Sequence, residues 1–227
     1  MSQNSLTVSS EGIKLTLSSM FLKGEAMSVL VIDGHPNPQS LSAALAAAYV
    51  DCVPGAKLLA VRDLDFDPNM NFGYSKPQPW EPDLENAWEM VQEAKHIVVV
   101  MPVWWAGMPA LLKGFFDRLL MPKLAYSFKP SGLPEGKLKG RTARVIMMSD
   151  SPNFYVRALG DIAFRQIAHR TLRFCGIGPV KRTHLTRVRK STVQQREKWF
   201  DKVRALAAVD AKKLGYAANQ RSGPKTS

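Results

Sequence analysis

The fold is decided by the run His96-Ile-Val-Val-Val-Met101, which is the strongest signal for a buried strand in the chain. Apolar β-branched residues that follow one another without alternation are typical of a strand covered on both faces. The run stops at Pro102, and helical spacing returns from Pro109 to Leu120, with Pro109 suited to a first helical turn. The stretch therefore predicts a buried strand that leads through a short loop into a helix.

The same alternation of strand and helix continues on both sides of this stretch. Ser40 or Ser42 can cap the helix that follows the first strand, and Ser191 or Thr192 can cap the last helix. The further predicted strands are 28–33, 57–61, 142–148 and 179–185, the further helices are 41–50, 82–95, 153–174 and 191–214, and the long loops are 62–82 and 121–140.

Strands that alternate with helices predict an α/β fold, with a parallel sheet and helices on both of its faces. Five strands in this pattern fit the flavodoxin-like strand order 2-1-3-4-5, because the right-handed crossover rule removes most alternatives. Ligands of such folds bind beyond the carboxyl ends of the strands. We therefore expect the chemistry of the protein in the loops 34–41, 102–109 and 149–155.

Length and composition limit the classes of protein to consider. The chain has 227 residues, of which 45% are apolar, and this suits one domain without a membrane span. Cys52 and Cys175 have no CxxC spacing, and the four histidines form no metal-binding pattern. We therefore expect neither a disulfide framework nor a metal site. Two reduced cysteines suit a cytoplasmic protein.

Positive charge is concentrated in the last part of the chain. Residues 1–140 carry 12 Lys and Arg against 14 Asp and Glu, whereas residues 141–227 carry 19 against 5, and the net charge is +12. Such asymmetry suits a nucleic acid, an acidic membrane surface or a ligand that carries phosphate. A solvated basic face without any partner explains it equally well.

The two ends of the chain differ from its centre. Residues 1–26 contain polar stretches rich in Ser and Thr, and the pattern of a buried core begins only after Met27. We expect a poorly ordered extension over 1–26, and a true start at Met27 is an equal alternative. No basic segment leads into a solid apolar run, so a secretory signal is not supported. The folded domain is expected over 27–215, followed by a polar tail over 216–227.

The first candidate loop runs from Gly34 to Ser42 and joins the first strand to a helix. The free backbone N–H groups and the positive end of a helix form a site for an anion, and Ser40 and Ser42 add hydroxyl groups. Neither a GxGxxG nor a Walker pattern is present. The alternative is an ordinary polar loop with a capping serine.

The second candidate loop runs from Met101 to Pro109 and contains Trp104 and Trp105 beside Gly107. The face of a Trp ring is a good platform for a flat heteroaromatic ring, and a glycine allows the backbone to approach closely. The alternative is that the tryptophans belong to the core, and we expect this of at least one of them.

The third candidate loop runs from Ser149 to Tyr155, with Tyr155 early in the helix that follows. A Tyr hydroxyl can donate a hydrogen bond to a ligand oxygen or stabilise a developing negative charge. The alternative is a turn in which Asp150, Ser151 and Pro152 serve only as helix caps.

Together the loops resemble those of the flavodoxin-like NAD(P)H:quinone oxidoreductases, the family of DT-diaphorase and many bacterial enzymes. The longest match is Pro102-Val-Trp-Trp-Ala-Gly-Met-Pro-Ala-Leu-Leu-Lys-Gly-Phe-Phe-Asp-Arg118, which resembles the family pattern P-x-x-W-x-G-x-P-A-x-L-K-G-x-x-[DE]-R. Shorter matches are Gly34-His-Pro-Asn-Pro-Gln-Ser40, Ala125-Tyr-Ser-Phe128 and Arg173-Phe-Cys-Gly-Ile177. The resemblance covers about residues 28–210 and is nearest to bacterial-type members.

The resemblance implies a flavin-dependent NAD(P)H oxidoreductase that reduces quinones or related acceptors by a two-electron ping-pong cycle. It implies FAD or FMN as cofactor, a homodimer, and no nucleic acid partner. FAD is favoured because the long loops 62–82 and 121–140 offer cover for its adenine half. Tyr155 becomes the candidate catalytic residue. The implied cofactor-binding residues are His35, Gln39, Ser40, Leu41, Ser42, Pro102, Val103, Trp104, Trp105, Ser149, Asp150, Ser151 and Pro152, and the implied acceptor-binding residues are Trp105, Tyr126, Phe128 and Tyr155, some of them across the dimer interface.

Two departures from the family pattern argue against a charge relay through a histidine and leave the identity of the acceptor open. The third loop is Ser149-Asp-Ser-Pro152 rather than Gly-rich, and Asp161 stands where mammalian members carry a histidine. A non-enzymatic flavoprotein, either an electron carrier or an accessory subunit of a transport system, is the main alternative. A nucleic-acid-binding protein that uses the basic C-terminal third is another, and the same charge suits the 2′-phosphate of NADPH.

Overall fold

A computed structural model describes residues 29–216, and it contains a five-stranded parallel sheet with the order β2-β1-β3-β6-β7. Counted within the sheet alone, this is the order 2-1-3-4-5 of the flavodoxin-like fold, so the predicted fold class is confirmed. The strands are β1 Val29–Asp33, β2 Lys57–Ala60, β3 His96–Pro102, β6 Thr142–Ser149 and β7 Val180–Thr186, and an antiparallel hairpin is formed by β4 Tyr126–Phe128 and β5 Pro134–Gly136.

Helices cover both faces of the sheet. The side chain of Ser40 caps the first helix by accepting a hydrogen bond from the Ala43 N–H at 3.1 Å, and Thr192 caps the last one in the same way. The helices are α1 Leu41–Val50, α2 Pro82–Glu93, α3 Ala110–Leu119, α4 Asn153–Ala158, α5 Ile162–Ile167 and α6 Val193–Lys213, with a π-helical turn at Ala168–Leu172 and 3₁₀ turns at Val61–Asp63 and Val188–Lys190.

The position of β3 at the centre of the sheet explains why apolar and polar residues do not alternate in its sequence. Ile97 and Val99 face one core layer, to which Phe115 of α3 also belongs. Val98 and Val100 face the other layer, where Val203 of α6 packs. Because both faces of the strand are covered, every residue of β3 is buried.

Two residues of the long matching motif, Gly114 and Arg118, anchor the loop 62–82 to α3. A Cβ atom on Gly114 would lie 2.6 Å from the carbonyl oxygen of Pro68, so only glycine allows this approach. The buried Arg118 guanidinium donates to the carbonyl oxygens of Asp67 and Pro79 and pairs with Glu81 at 2.9 Å. These motif residues are therefore structural.

The predicted helical segment 153–174 is largely helical in the structure, but a break divides it into α4, α5 and the π-helical turn. Gly160 and Asp161 lie in the left-handed region, with φ of +73° and +52°, and this reversal ends α4. The predicted loop 121–140 is also corrected, since it contains the β4–β5 hairpin. A Cβ on Gly136 would lie 2.1 Å from the backbone nitrogen of Gly176, so the hairpin packs tightly against the end of the π-helical segment.

The expectations for residues 1–26 and for most of the tail fall outside the described residues and stay predictions. None of the helices between Val29 and Tyr216 combines the length and the apolar character that a membrane crossing requires.

Candidate functional site

The three predicted loops meet at the carboxyl edge of the sheet, where they enclose a cleft made of two adjoining cavities. The first cavity has a volume of about 380 Å³ and the second about 480 Å³, and both are lined by Val103, Ser149 and Asp150. The first is completed by His35, Asn37, Ser40, Leu41, Ser42, Pro102, Trp104, Met148 and Val188, and the second by Trp105, Ala106, Ser151, Tyr155, Val156, Leu159, Asp161, Ile162, Ala163 and His184.

A buried ion pair holds the start of the first loop. Asp33 ends β1, is fully buried, and pairs with Arg62 at 2.5 Å. The Asp33 carboxylate accepts the backbone N–H of His35 at 3.1 Å, and Arg62 donates to the His35 carbonyl oxygen at 3.1 Å. The pair therefore fixes the backbone at the point where the loop leaves the sheet.

The first cavity carries the hydrogen-bond donors that an anion needs. The His35 Nδ1 accepts the Asn37 N–H at 2.9 Å, so a neutral His35 ring carries its proton on Nε2. Partial burial lowers the pKa of His35, with Asp33 opposing this effect and Arg62 adding to it. At the start of α1, the backbone N–H groups of Leu41 and Ser42 have no helical carbonyl to bind, because the helix begins there. This end of the cleft suits a phosphate.

The second loop forms a tight turn whose backbone is held in an uncommon conformation. Trp104 and Gly107 exchange two backbone hydrogen bonds of 3.1 and 2.9 Å. Between them, Trp105 and Ala106 lie in the left-handed region, with φ of +50° and +59°. Such conformations are unfavourable for side chains other than glycine, and they cluster at ligand-binding sites.

The expectation that at least one of these tryptophans belongs to the core is wrong. The side chain of Trp104 is 44% exposed and meets the His35 ring edge to face at 5.4 Å, and Trp105 is fully exposed. Both residues line the cleft instead, Trp104 in the first cavity and Trp105 in the second.

The third loop supplies polar groups to both cavities. Ser149 is 8% exposed at the end of β6, and Tyr155 is half exposed on the wall of the larger cavity. Pro152 is the N-cap residue of α4 without a side-chain cap, whereas the Asp150 carboxylate accepts the Arg189 N–H at 2.6 Å. Asp150 and Ser151 therefore do not serve as helix caps.

Four predicted site residues lie away from both cavities. Gln39 is exposed in the first loop, and Pro152 lies at the start of α4 without lining either cavity. Tyr126 and Phe128 belong to the β4–β5 hairpin, where both rings meet Phe174, with a centroid distance of 4.8 Å for Tyr126. Their roles in binding an acceptor stay predictions.

His184, which enters the larger cavity from the end of β7, is a site residue that was not predicted from the sequence. Its Nε2 lies 2.9 Å from the Oγ of Ser149. The signal for it was available, because His184 lies near the carboxyl end of the fifth predicted strand, at the edge where ligands bind. Among residues 29–216, no three His, Cys, Asp or Glu side chains come together as a set of metal ligands.

Comparison with known proteins agrees with this architecture. A family model described as a flavodoxin-like fold matches residues 27–207. The crystal structure of Smu.1420 from Streptococcus mutans superimposes with a TM-score of 0.73 and 30% sequence identity, and the match covers 80% of this chain and 98% of that one.

Curated relatives match over shorter segments. A ribosyldihydronicotinamide dehydrogenase (quinone) of Pongo abelii is 32% identical over 101 residues, which cover 41% of this chain and 42% of that protein. An FMN-dependent NADH:quinone oxidoreductase of Ruegeria pomeroyi is 32% identical over 76 residues, which cover 30% of this chain and 37% of that protein. The matches thus span less than half the length of these two relatives. They confirm the resemblance drawn from the loops, and the extent of the family model and of the structural match shows that the chain belongs to the flavodoxin-like family.

Proposed function

We propose that the chain is a flavin-dependent NAD(P)H oxidoreductase of the quinone-reductase type. The observation that carries the proposal is the cleft itself, which joins an anion site at the start of α1 to an aromatic and polar cavity beneath Trp105 and Tyr155. A flavin phosphate and a flavin ring require these two environments in this order. Relatives named as quinone dehydrogenases and quinone oxidoreductases support the same reaction.

The residues of the cleft have separate tasks in this proposal. The Nε2–H of His35, the hydroxyl of Ser40 and the first amides of α1 hold the phosphate. Val103 and Trp104 border the ring, and the segment Ser149–Ser151 meets its polar edge. The bound flavin supplies the hydride chemistry, and the protein binds and orients it. The Tyr155 hydroxyl, at the wall of the larger cavity, donates a hydrogen bond to the reduced ring or to the acceptor.

FMN is the flavin that the cleft favours, although FAD is the cofactor expected from the two long loops of the sequence. The adenine half of FAD was expected beneath the loops 62–82 and 121–140, yet neither loop lines either cavity. The first of these loops is instead fastened to α3 through Arg118. The Ruegeria pomeroyi relative is named as FMN-dependent, which supports the same choice.

The apolar surface around the larger cavity supports the proposed homodimer. Trp105 is fully exposed, Phe154 is 72% exposed, and Leu159 and Ile162 are each about half exposed. Contiguous exposed apolar side chains around a cleft are typical of a protein interface. Light scattering of the purified protein is expected to give twice the mass of one chain, and a monomer at all concentrations would exclude the dimer.

The proposed activity is tested by steady-state oxidation of NADPH and NADH in the presence of FMN and a quinone. We expect turnover that depends on added or co-purified flavin, with parallel double-reciprocal plots because both substrates use the same site in turn. Bound flavin without turnover of either nucleotide would favour the non-enzymatic electron carrier. Turnover that does not depend on flavin would contradict the proposal.

A further inference from the structure

Four polar side chains form a chain of contacts beneath the larger cavity. Asp161, which precedes α5, pairs with the guanidinium of Arg182 on β7. The Nη2 of Arg182 lies 3.1 Å from the Nδ1 of His184, and the Nε2 of His184 lies 2.9 Å from the Oγ of Ser149. The contacts thus lead from the ion pair to the hydroxyl group between the two cavities.

The chemistry of arginine sets the direction of these hydrogen bonds. A guanidinium has only donors, so the Nδ1 of His184 accepts from Arg182. The proton of the neutral imidazole then lies on Nε2, which donates to the Oγ of Ser149. Burial lowers the pKa of His184, and the charge of Arg182 lowers it further, whereas Asp161 raises it. The neutral ring is therefore the favoured form at neutral pH.

The Ser149 hydroxyl lies at the border of the two cavities. Ser149 is 8% exposed and lines both cavities. Throughout the described part of the chain, His184 is the one hydrogen-bond partner found for its Oγ. Since the Oγ accepts from His184, its own O–H is free to donate to a group in the cleft.

We propose that His184 is a positioning residue that makes the Ser149 hydroxyl a hydrogen-bond donor toward an acceptor atom of the ligand. The inference rests on the proposed function, in which the polar edge of a flavin ring lies beside Ser149. The ligand atom is a carbonyl oxygen or an unprotonated ring nitrogen, because only an acceptor satisfies the hydroxyl. Asp161 and Arg182 hold the imidazole in the required tautomer.

A double-mutant cycle with FMN as the probe tests this role through flavin affinity, which is measured by quenching of FMN fluorescence. We expect Ser149→Ala and His184→Leu each to raise the Kd for FMN about 5- to 30-fold. In the Ser149→Ala background, His184→Leu is expected to add less than about twofold, because the histidine acts through the serine. His184→Gln retains a donor and is expected to restore most of the affinity.

His169→Leu is the matched control, since His169 also meets an arginine, Arg173, through its Nδ1 but lies outside both cavities. It is expected to leave the Kd unchanged. Nitrogen-15 spectra of the wild-type protein add a readout independent of folding, and they are expected to show the Nε2–H tautomer of His184.

Two results would overturn the role of His184 while leaving the proposed function intact. The first is an Nδ1–H tautomer of His184 in the wild-type protein. The second is a rise in the Kd for FMN on adding His184→Leu to Ser149→Ala that is as large as the rise caused by His184→Leu alone. Failure of the wild-type protein to bind any flavin would overturn the proposed function and this inference together.

Discussion

Ser40→Asp is expected to raise the Kd for the flavin about 100-fold while leaving the protein folded. Asp and Ser stabilise a helix about equally well at the N-cap, and the negative charge of Asp is favourable at the start of α1. The same charge lies in the first cavity, where the proposed phosphate binds. Two like charges about 5 Å apart repel by about 3 kcal/mol at the effective dielectric constant near a protein surface. Fluorescence titration with FMN and a thermal melt measure the two effects.

Thr192→Asp is the control for this substitution. Thr192 is the N-cap of α6 and accepts the Gln195 N–H at 3.2 Å, but it lines neither cavity of the cleft. The control is expected to leave the Kd unchanged and to match Ser40→Asp in thermal stability. Equal flavin affinity in the two variants would contradict the proposal that the flavin phosphate binds at the start of α1.

Asp210→Asn is expected to lower the free energy of unfolding by about 3–5 kcal/mol, because it leaves buried positive charge without its partner. Asp210 is 3% exposed on α6 and pairs with Arg144 at 2.5 Å, with Lys181 at 3.2 Å and with His96 at 3.5 Å. It also accepts the Tyr49 hydroxyl at 3.0 Å. The carboxylate thus joins α6 to three strands and α1. Chemical denaturation at neutral pH measures the loss.

Asp201→Asn on the same helix is the control, since its pair with Arg204 is exposed and contributes at most about 1 kcal/mol. If Asp210→Asn lowered the free energy of unfolding no more than Asp201→Asn does, the proposed role of the buried carboxylate would be contradicted.

The pH dependence gives a second test of Asp210. Burial opposes ionisation, but the hydrogen bonds and charges of His96 and Arg144 outweigh it and hold the pKa of Asp210 below its usual range. A lowered folded-state pKa stabilises the protein above the unfolded pKa of about 3.9, and this contribution is lost as the pH falls below it. The difference in stability between wild type and Asp210→Asn is therefore expected to narrow below about pH 4. A constant difference down to pH 2 would contradict this assignment.

The fold could be predicted from the sequence because its strongest signals are local. The continuous apolar sequence of β3 indicates a strand that is buried on both faces. The order of strands and helices along the chain then leaves few possible topologies. The positions of the three loops followed from the same argument. The break after Gly160 was missed, because glycine within a helical pattern marks either a tolerated residue or a left-handed end, and packing decides between them.

The composition of the site could be predicted only in part. Trp104 and Trp105 were identified as aromatic neighbours of a strand end. The exposure of both rings was not predicted, because the two left-handed positions of the turn hold Trp105 and Ala106 rather than glycine. His184 escaped notice because its partner Ser149 belongs to another strand and the contact depends on the register of β6 and β7. The register of two strands decides which of their side chains meet, and it cannot be derived from the hydrophobic periodicity of the sequence alone.

The decisive measurement for the proposed flavin chemistry is an absorption spectrum of the 227-residue chain. The protein is incubated with FMN, freed of unbound cofactor and titrated anaerobically with NADPH. Ser40→Asp is expected to retain little flavin and therefore to show little flavin absorption. In the wild-type protein, flavin absorption that is retained and then bleaches as NADPH is added is the result expected from the proposed function. A protein that emerges colourless after incubation with either FMN or FAD, or that retains flavin which neither NADPH nor NADH bleaches, would contradict it.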